Sequence, residues 1–162
     1  MRCPPDRSTS TTTVATSIFA KLRAGVTTAS AAETQAFAAQ LAAALPPDTT
    51  LALHGNLGVG KTTFVQGLAR GFGITEPVTS PTFNIYTVHH ARDAGGRTLI
   101  HLDAYRLDHP KQVEDLLLED FLVSPWCLAV EWPEKISGWL PPGALQLDLG
   151  IAADERHTLR LR

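Results

Sequence analysis

A chain of 162 residues is long enough to bury one core without disulfides or a structural metal, and its 44% apolar and 19% charged composition excludes a fibre or a wholly disordered chain. A net charge of −2 leaves no basic footprint for sequence-independent nucleic-acid binding, which rests on clustered Lys and Arg. Cys3 and Cys127 make no disulfide framework, no apolar run approaches the ~20 residues of a membrane span, and the N-terminus has no secretory apolar core, so a reducing cytoplasm away from the membrane is expected.

Residues 1–25 are polar and repetitive, as in the run Ser8 to Thr13, and are expected to form a disordered N-terminal tail ahead of one domain over 26–162. Order is expected to begin near Ser30, where Ser30-Ala31-Ala32-Glu33 has the spacing of a capping box. Phe37, Leu41 and Leu45 then recur at helical intervals up to Pro46-Pro47. Leu51 to His54 reads as a strand buried on both faces, and Thr62 to Phe72 as a helix with Phe64, Val65, Leu68 and Phe72 on one side, stopped by Gly71 and Gly73. Phe83 to His89 and Thr98 to Leu102 have strand composition and flank the hairpin-type turn Asp93 to Gly96. Asp108 and Pro110 open a further helix with Val113, Leu116, Leu117 and Phe121 as its apolar stripe. Cys127 to Val130 is a second continuous apolar strand, a short helix follows Pro133, and Leu145 to Leu149 alternates as a strand that can pair with Thr158 to Leu161. This order predicts an α/β fold with helices on both faces, a three-layer sandwich whose mainly parallel sheet carries an antiparallel edge.

Between the Leu51 strand and the following helix stands Gly55-Asn56-Leu57-Gly58-Val59-Gly60-Lys61-Thr62, a full match to the phosphate-binding pattern G-x-x-x-x-G-K-[ST]. Glycines let the backbone wrap an anion so that main-chain N–H groups and the helix N-terminus point at phosphates. Asn56, Leu57, Gly58, Val59, Gly60, Lys61, Thr62 and Thr63 are thus the expected nucleotide-binding set, with Lys61 on the β and γ phosphates and the Thr62 hydroxyl on Mg²⁺. Mg²⁺ also needs carboxylate oxygens, and Asp103 and Glu131 each end a predicted strand, where α/β sheets face their ligands; an ordinary exposed strand-end acid would look the same. Thr79-Ser80-Pro81-Thr82 falls where P-loop proteins place a loop that senses the γ-phosphate, or is simply a turn before a strand. His101 and the pair His89-His90 lack the partners of a transition-metal site and read as core or solvated histidines, Trp132 reads as packing, and spacing gives Arg156 no role.

Four strings, GNLGVGKTTF (Gly55 to Phe64), TSPTFNIY (Thr79 to Tyr86), HLDAYRL (His101 to Leu107) and VEWPEK (Val130 to Lys135), together resemble the TsaE (YjeE) family, the bacterial ATPase of tRNA threonylcarbamoyladenosine biosynthesis. The resemblance covers roughly Ser30 to the C-terminus. It implies a small P-loop ATPase, with ATP and Mg²⁺ as cofactors, that acts with the threonylcarbamoyl-transferase subunit and its companion (TsaD and TsaB types) on ANN-decoding tRNAs, the tRNA being met indirectly. By matching motifs it implies that Lys61 holds phosphate, Thr62 and Glu131 bind Mg²⁺, and Asp103 is needed for hydrolysis. Ser80 and Thr82 would form a nucleotide-sensing loop, and Arg156 would stand beside the nucleotide. Family loops commonly carry Asp at Asn56 and Ala at Val59, so loop side-chain details depart from the family here. Two other readings stay open: a P-loop small-molecule kinase, for which Arg92, Arg97 and Arg106 are scattered rather than gathered in a lid, and a nucleotide-gated binding module in which hydrolysis is incidental.

Overall fold

The computed structural model describes residues 17–81 and 83–162. Its elements in chain order are α1 (residues 17–24), β1 (Val26–Thr28), α2 (Ala31–Ala44), β2 (Thr49–His54), α3 (Lys61–Gly71), β3 (Tyr86–His90), β4 (Thr98–Asp103), α4 (Lys111–Glu114), β5 (Trp126–Glu131), β6 (Leu145–Ile151) and β7 (His157–Leu161), with 3-10 turns at Leu118–Asp120 and Pro133–Ile136. The strands form one sheet in the order β1-β7-β6-β2-β5-β4-β3. The central four, β6, β2, β5 and β4, are parallel, while β3 at one edge and the β7 and β1 pairings at the other are antiparallel. The fold class is therefore the expected one, except that both edges are antiparallel rather than one.

Strand alternation splits the core in two. Leu51, Leu53, Leu99, Cys127 and Ala129 pack with Phe64, Val65 and Leu68 of α3 and Leu41 of α2. Ile100, Leu102, Leu128 and Val130 face the other way, onto Leu107, Val113, Leu118 and Ile136. Residues of β2, β4 and β5 are buried on both faces because each strand is paired on both sides and covered front and back, β4 lying between parallel β5 and antiparallel β3, which is why they read as unbroken apolar runs.

Half of the capping box forms, Ser30 Oγ accepting from Glu33 N at 3.2 Å, while Glu33 Oε2 reaches one residue further back and accepts from Ala29 N at 2.7 Å rather than from the N-cap amide. Helices α2 and α3 approach closely because α3 offers glycines to the contact. A Cβ added at Gly67 would stand 2.5 Å from Gln35 O and 2.7 Å from Ala38 Cβ. Gly67→Val is expected to destabilise by about 2–3 kcal/mol, the upper part of the overpacking range because the obstacle is backbone, and to lower the melting temperature by roughly 5–10 °C in a thermal scan.

Three expectations are corrected. Within the expected tail, residues 17–24 are helical and bury Ile18 and Leu22 in the α2/α3 core, and β1 follows before Ser30; residues 1–16 lie outside the described residues. The helix expected after Pro110 is a single turn, α4. Leu117 then takes a left-handed conformation (φ 52°) and is 60% exposed, and the 3-10 turn that follows buries Leu118 instead. The two short turns thus bury Val113 and Leu118, while Leu117 and Phe121 of the expected stripe stay exposed. Finally, the strand expected from Phe83 starts at Tyr86, because Ile85 has φ 65° and Phe83 is 88% exposed in the preceding turn.

Candidate functional site

The loop after β2 lies between the carboxyl ends of parallel strands. Gly55 leaves β2 at φ 149°, and a side chain there would meet Leu149 O at 2.5 Å. Gly60 takes φ 97° as the residue preceding α3, a conformation that glycine adopts at little cost. The first intrahelical bond runs from Phe64 N to Gly60 O at 2.9 Å, so the amides of Lys61, Thr62 and Thr63 have no partner one turn back and form the open end of the helix. Behind the loop, His157 Nδ1–H donates to Val59 O at 2.8 Å, tying β7 to the loop, and Val59 itself is buried.

Sheet register brings the two strand-end acids to this loop. Glu131 pairs with Leu53 of β2 on one side and with Asp103 of β4 on the other, so both carboxylates end their strands at the level of the loop. Glu131 is buried, and its Oε1 accepts from the Thr62 hydroxyl at 3.1 Å and from His101 Nε2–H at 3.0 Å. Burial alone would push the Glu131 carboxyl up, but the His101 and Thr62 hydrogen bonds and the charge of Lys61 outweigh it and hold the carboxyl below its ordinary range. Asp103 is pushed up, chiefly by burial and further by the Glu131 charge, against the hydrogen bond its Oδ1 accepts from Tyr105 N at 3.0 Å.

Lys61 is buried and folded back on its own loop. Its ammonium donates to the Gly55 carbonyl and to Asn56 O at 3.2 Å, and lies 4.0 Å from the centroid of the Trp132 ring. Desolvation lowers its pKa, opposed by Glu131, Asp103 and Glu134. These groups surround a cavity of about 600 Å³, lined by Leu57, Gly58, Gly60, Lys61, Thr62, Thr63, Ser80, Pro81, Ile85, Asp103, Tyr105, Arg106, Glu131 and Trp132. That volume is within the usual range of small-molecule and cofactor sites.

The structure thus gathers Lys61, Thr62, Thr63, Asp103, Glu131 and Ser80 around one space, with Leu57, Gly58 and Gly60. Asn56 contributes its carbonyl to Lys61, and Val59 supports the loop from beneath. Thr82 lies outside the described residues. Arg156 is not among the lining residues: it stands in the turn joining β6 and β7, where Asp154 accepts from its Nε at 2.6 Å and its backbone N at 3.2 Å. Trp132, read from sequence as packing, is a cavity wall, its ring tilted 54° from that of Tyr105 with centroids 5.2 Å apart. His101 was also missed as a site residue; the available signal was its place two residues before Asp103, on the same face of β4.

An oxygen-seeking cation fits this donor set. The Thr62 and Glu131 oxygens are 3.1 Å apart, close to the ~2.9 Å separating neighbouring ligands of an octahedral Mg²⁺. Among the described residues no group of three or more His, Cys, Asp or Glu side chains is arranged to hold a metal, so such an ion would also need oxygens from a bound phosphate and water.

A model of the family described as threonylcarbamoyl adenosine biosynthesis protein TsaE matches residues 28–159. The tRNA threonylcarbamoyladenosine biosynthesis protein TsaE of Bacillus subtilis is 39% identical over 127 residues, 78% of this chain and 77% of that protein. Its Streptomyces coelicolor counterpart is 41% identical over 125 residues, 74% and 83% of the two chains. The crystal structure of Bacillus subtilis YdiB has a TM-score of 0.68 and 33% identity, with 85% of this chain and 82% of that one covered.

Proposed function

Because this chain belongs to the TsaE family of threonylcarbamoyl adenosine biosynthesis proteins, we propose that it is the Mg²⁺-dependent ATP-binding and hydrolysing subunit serving threonylcarbamoyladenosine formation in ANN-decoding tRNAs. The observation that carries this reading is the convergence of Lys61, Thr62, Asp103 and Glu131 on one cavity at the mouth of a P-loop.

The amides opening α3 and the Lys61 ammonium bind the β and γ phosphates, with Lys61 leaving the carbonyls of Gly55 and Asn56 for the stronger charge. Thr62 and Glu131 hold Mg²⁺, which when bound neutralises charge on the phosphates. Asp103, with its raised pKa, orients a water and accepts its proton as the water oxygen attacks the γ-phosphorus and the bond to the β,γ-bridging oxygen breaks, giving ADP and phosphate. Ser80 and Pro81 line the same cavity, which supports reading them as part of a loop that responds to the γ-phosphate. A metabolite kinase draws less support: Arg106 is the one arginine among the described lining residues, and its guanidinium lies 5.9 Å from the Phe83 ring.

The transferase subunit and its companion protein are the proposed partners, with tRNA met through them; a net charge of −2 suits a chain that does not grip the nucleic acid itself. Calorimetry with ATP and Mg²⁺, followed by phosphate release with and without the two partners, tests the reading. Saturable MgATP binding and partner-stimulated release are expected. Absence of nucleotide binding, or phosphate passing from ATP to a metabolite, would overturn it.

A further inference from the structure

We infer that His101 is a positioning residue for Glu131, whose Nε2–H fixes the carboxylate that holds the metal. This rests on the proposed metal role of Glu131.

The imidazole is fully buried in β4, and Nε2 is 3.0 Å from Glu131 Oε1. An ionised carboxylate only accepts, so Nε2 carries the proton. Across the strands His101 is paired with Ala129, whose methyl group leaves the ring room to reach diagonally to Glu131 at the end of β5. The other ring nitrogen, Nδ1, is buried with no hydrogen-bond partner among the described residues. Burying an unsatisfied nitrogen is unfavourable, and a leucine would fill this apolar layer without that cost, so packing alone does not account for a histidine here. The single bond it makes does.

That bond also persists where the neighbouring one does not. Thr62 donates to the same Oε1, yet a hydroxyl that turns its oxygen to a cation must release or re-aim its proton. His101, outside the cavity lining, is free of that demand and holds Oε1 with or without the ion. Outer partners of this kind set ligand orientation, and removing one typically costs 10–100-fold in metal affinity.

The test compares His101→Leu, His101→Asn and His101→Gln in the full chain, reading the Mg²⁺ concentration at half-maximal ADP binding together with ADP affinity in EDTA. Gln places an amide N–H near the Nε2 position, whereas Asn reaches only to that of Nδ1. The Mg²⁺ requirement is expected to rise about 10–100-fold in the Leu and Asn variants and to return most of the way in the Gln variant, with EDTA affinity held within about threefold throughout. A wild-type Mg²⁺ requirement in the Leu and Asn variants, or a Gln variant as impaired as Asn while melting cooperatively, overturns the assignment to His101 alone. Nucleotide binding by the unmutated chain that ignores Mg²⁺ overturns the metal role of Glu131, and this inference with it.

Discussion

Lys61→Ala is expected to lower ATP turnover by at least about 10²–10³-fold, the cost of removing one preorganised charge from a transferring phosphoryl group. The effect is large because the ammonium is already inside the site, buried and held by the Gly55 and Asn56 carbonyls beside Glu131 and Asp103. Among the described lining residues the other cation is Arg106, drawn toward Phe83. Lys61→Arg is expected to rescue poorly, since a longer side chain ending in a rigid planar fork does not present the compact point charge that an ammonium does. Steady-state phosphate release measures the loss, and Trp132 fluorescence offers an internal check because the ammonium 4.0 Å from its ring is gone in the Ala variant. Turnover within tenfold of wild type would remove Lys61 from the chemistry.

The central part of this arrangement was legible in the sequence because it is dictated locally. A strand buried on both faces needs an unbroken apolar run, a phosphate loop needs glycines at fixed positions, and an acid closing each of two apolar runs marks the ligand end of a parallel sheet; Leu51 to His54, Gly55 to Thr62, Asp103 and Glu131 satisfy these in turn. What escaped depends on the partner surface. Residues 17–24, SIFAKLRA, do carry Ile18 and Leu22 at helical spacing, a signal hidden by the polar run ahead of them, and Val26–Thr28 becomes a strand only by pairing with β7. The apolar spacing over 113–121 could not separate one helix from two turns, a choice made by Leu117 at φ 52°. His101 reads like a core histidine: its place two residues before Asp103 puts it on that acid's face of β4, but its bond to Glu131 crosses to β5 and only the sheet register reveals it.

Asp103→Asn is expected to separate binding from hydrolysis. The substitution keeps the shape, and the hydrogen bond from Tyr105 N can still be accepted by the amide oxygen, so the turn after β4 should stand. What is lost is a group able to take a proton from water, worth about 10²–10⁴-fold in turnover, whereas MgATP affinity should move by only a few-fold because, on the proposed reading, Lys61 and the loop amides carry the phosphate contacts. The raised pKa gives the prediction a sign. The base works ionised, so kcat/KM for the wild type should fall as pH drops through the Asp103 pKa, and the fall should begin at a higher pH than an ordinary aspartate would allow because burial and Glu131 both disfavour its charge. In the Asn variant that acid limb should vanish along with most of the rate. An Asn variant that turns over ATP within tenfold of wild type and keeps the same acid limb would assign the proton transfer to another group, and Glu131, held below its ordinary range by His101 and Thr62, could not supply a limb in that pH window.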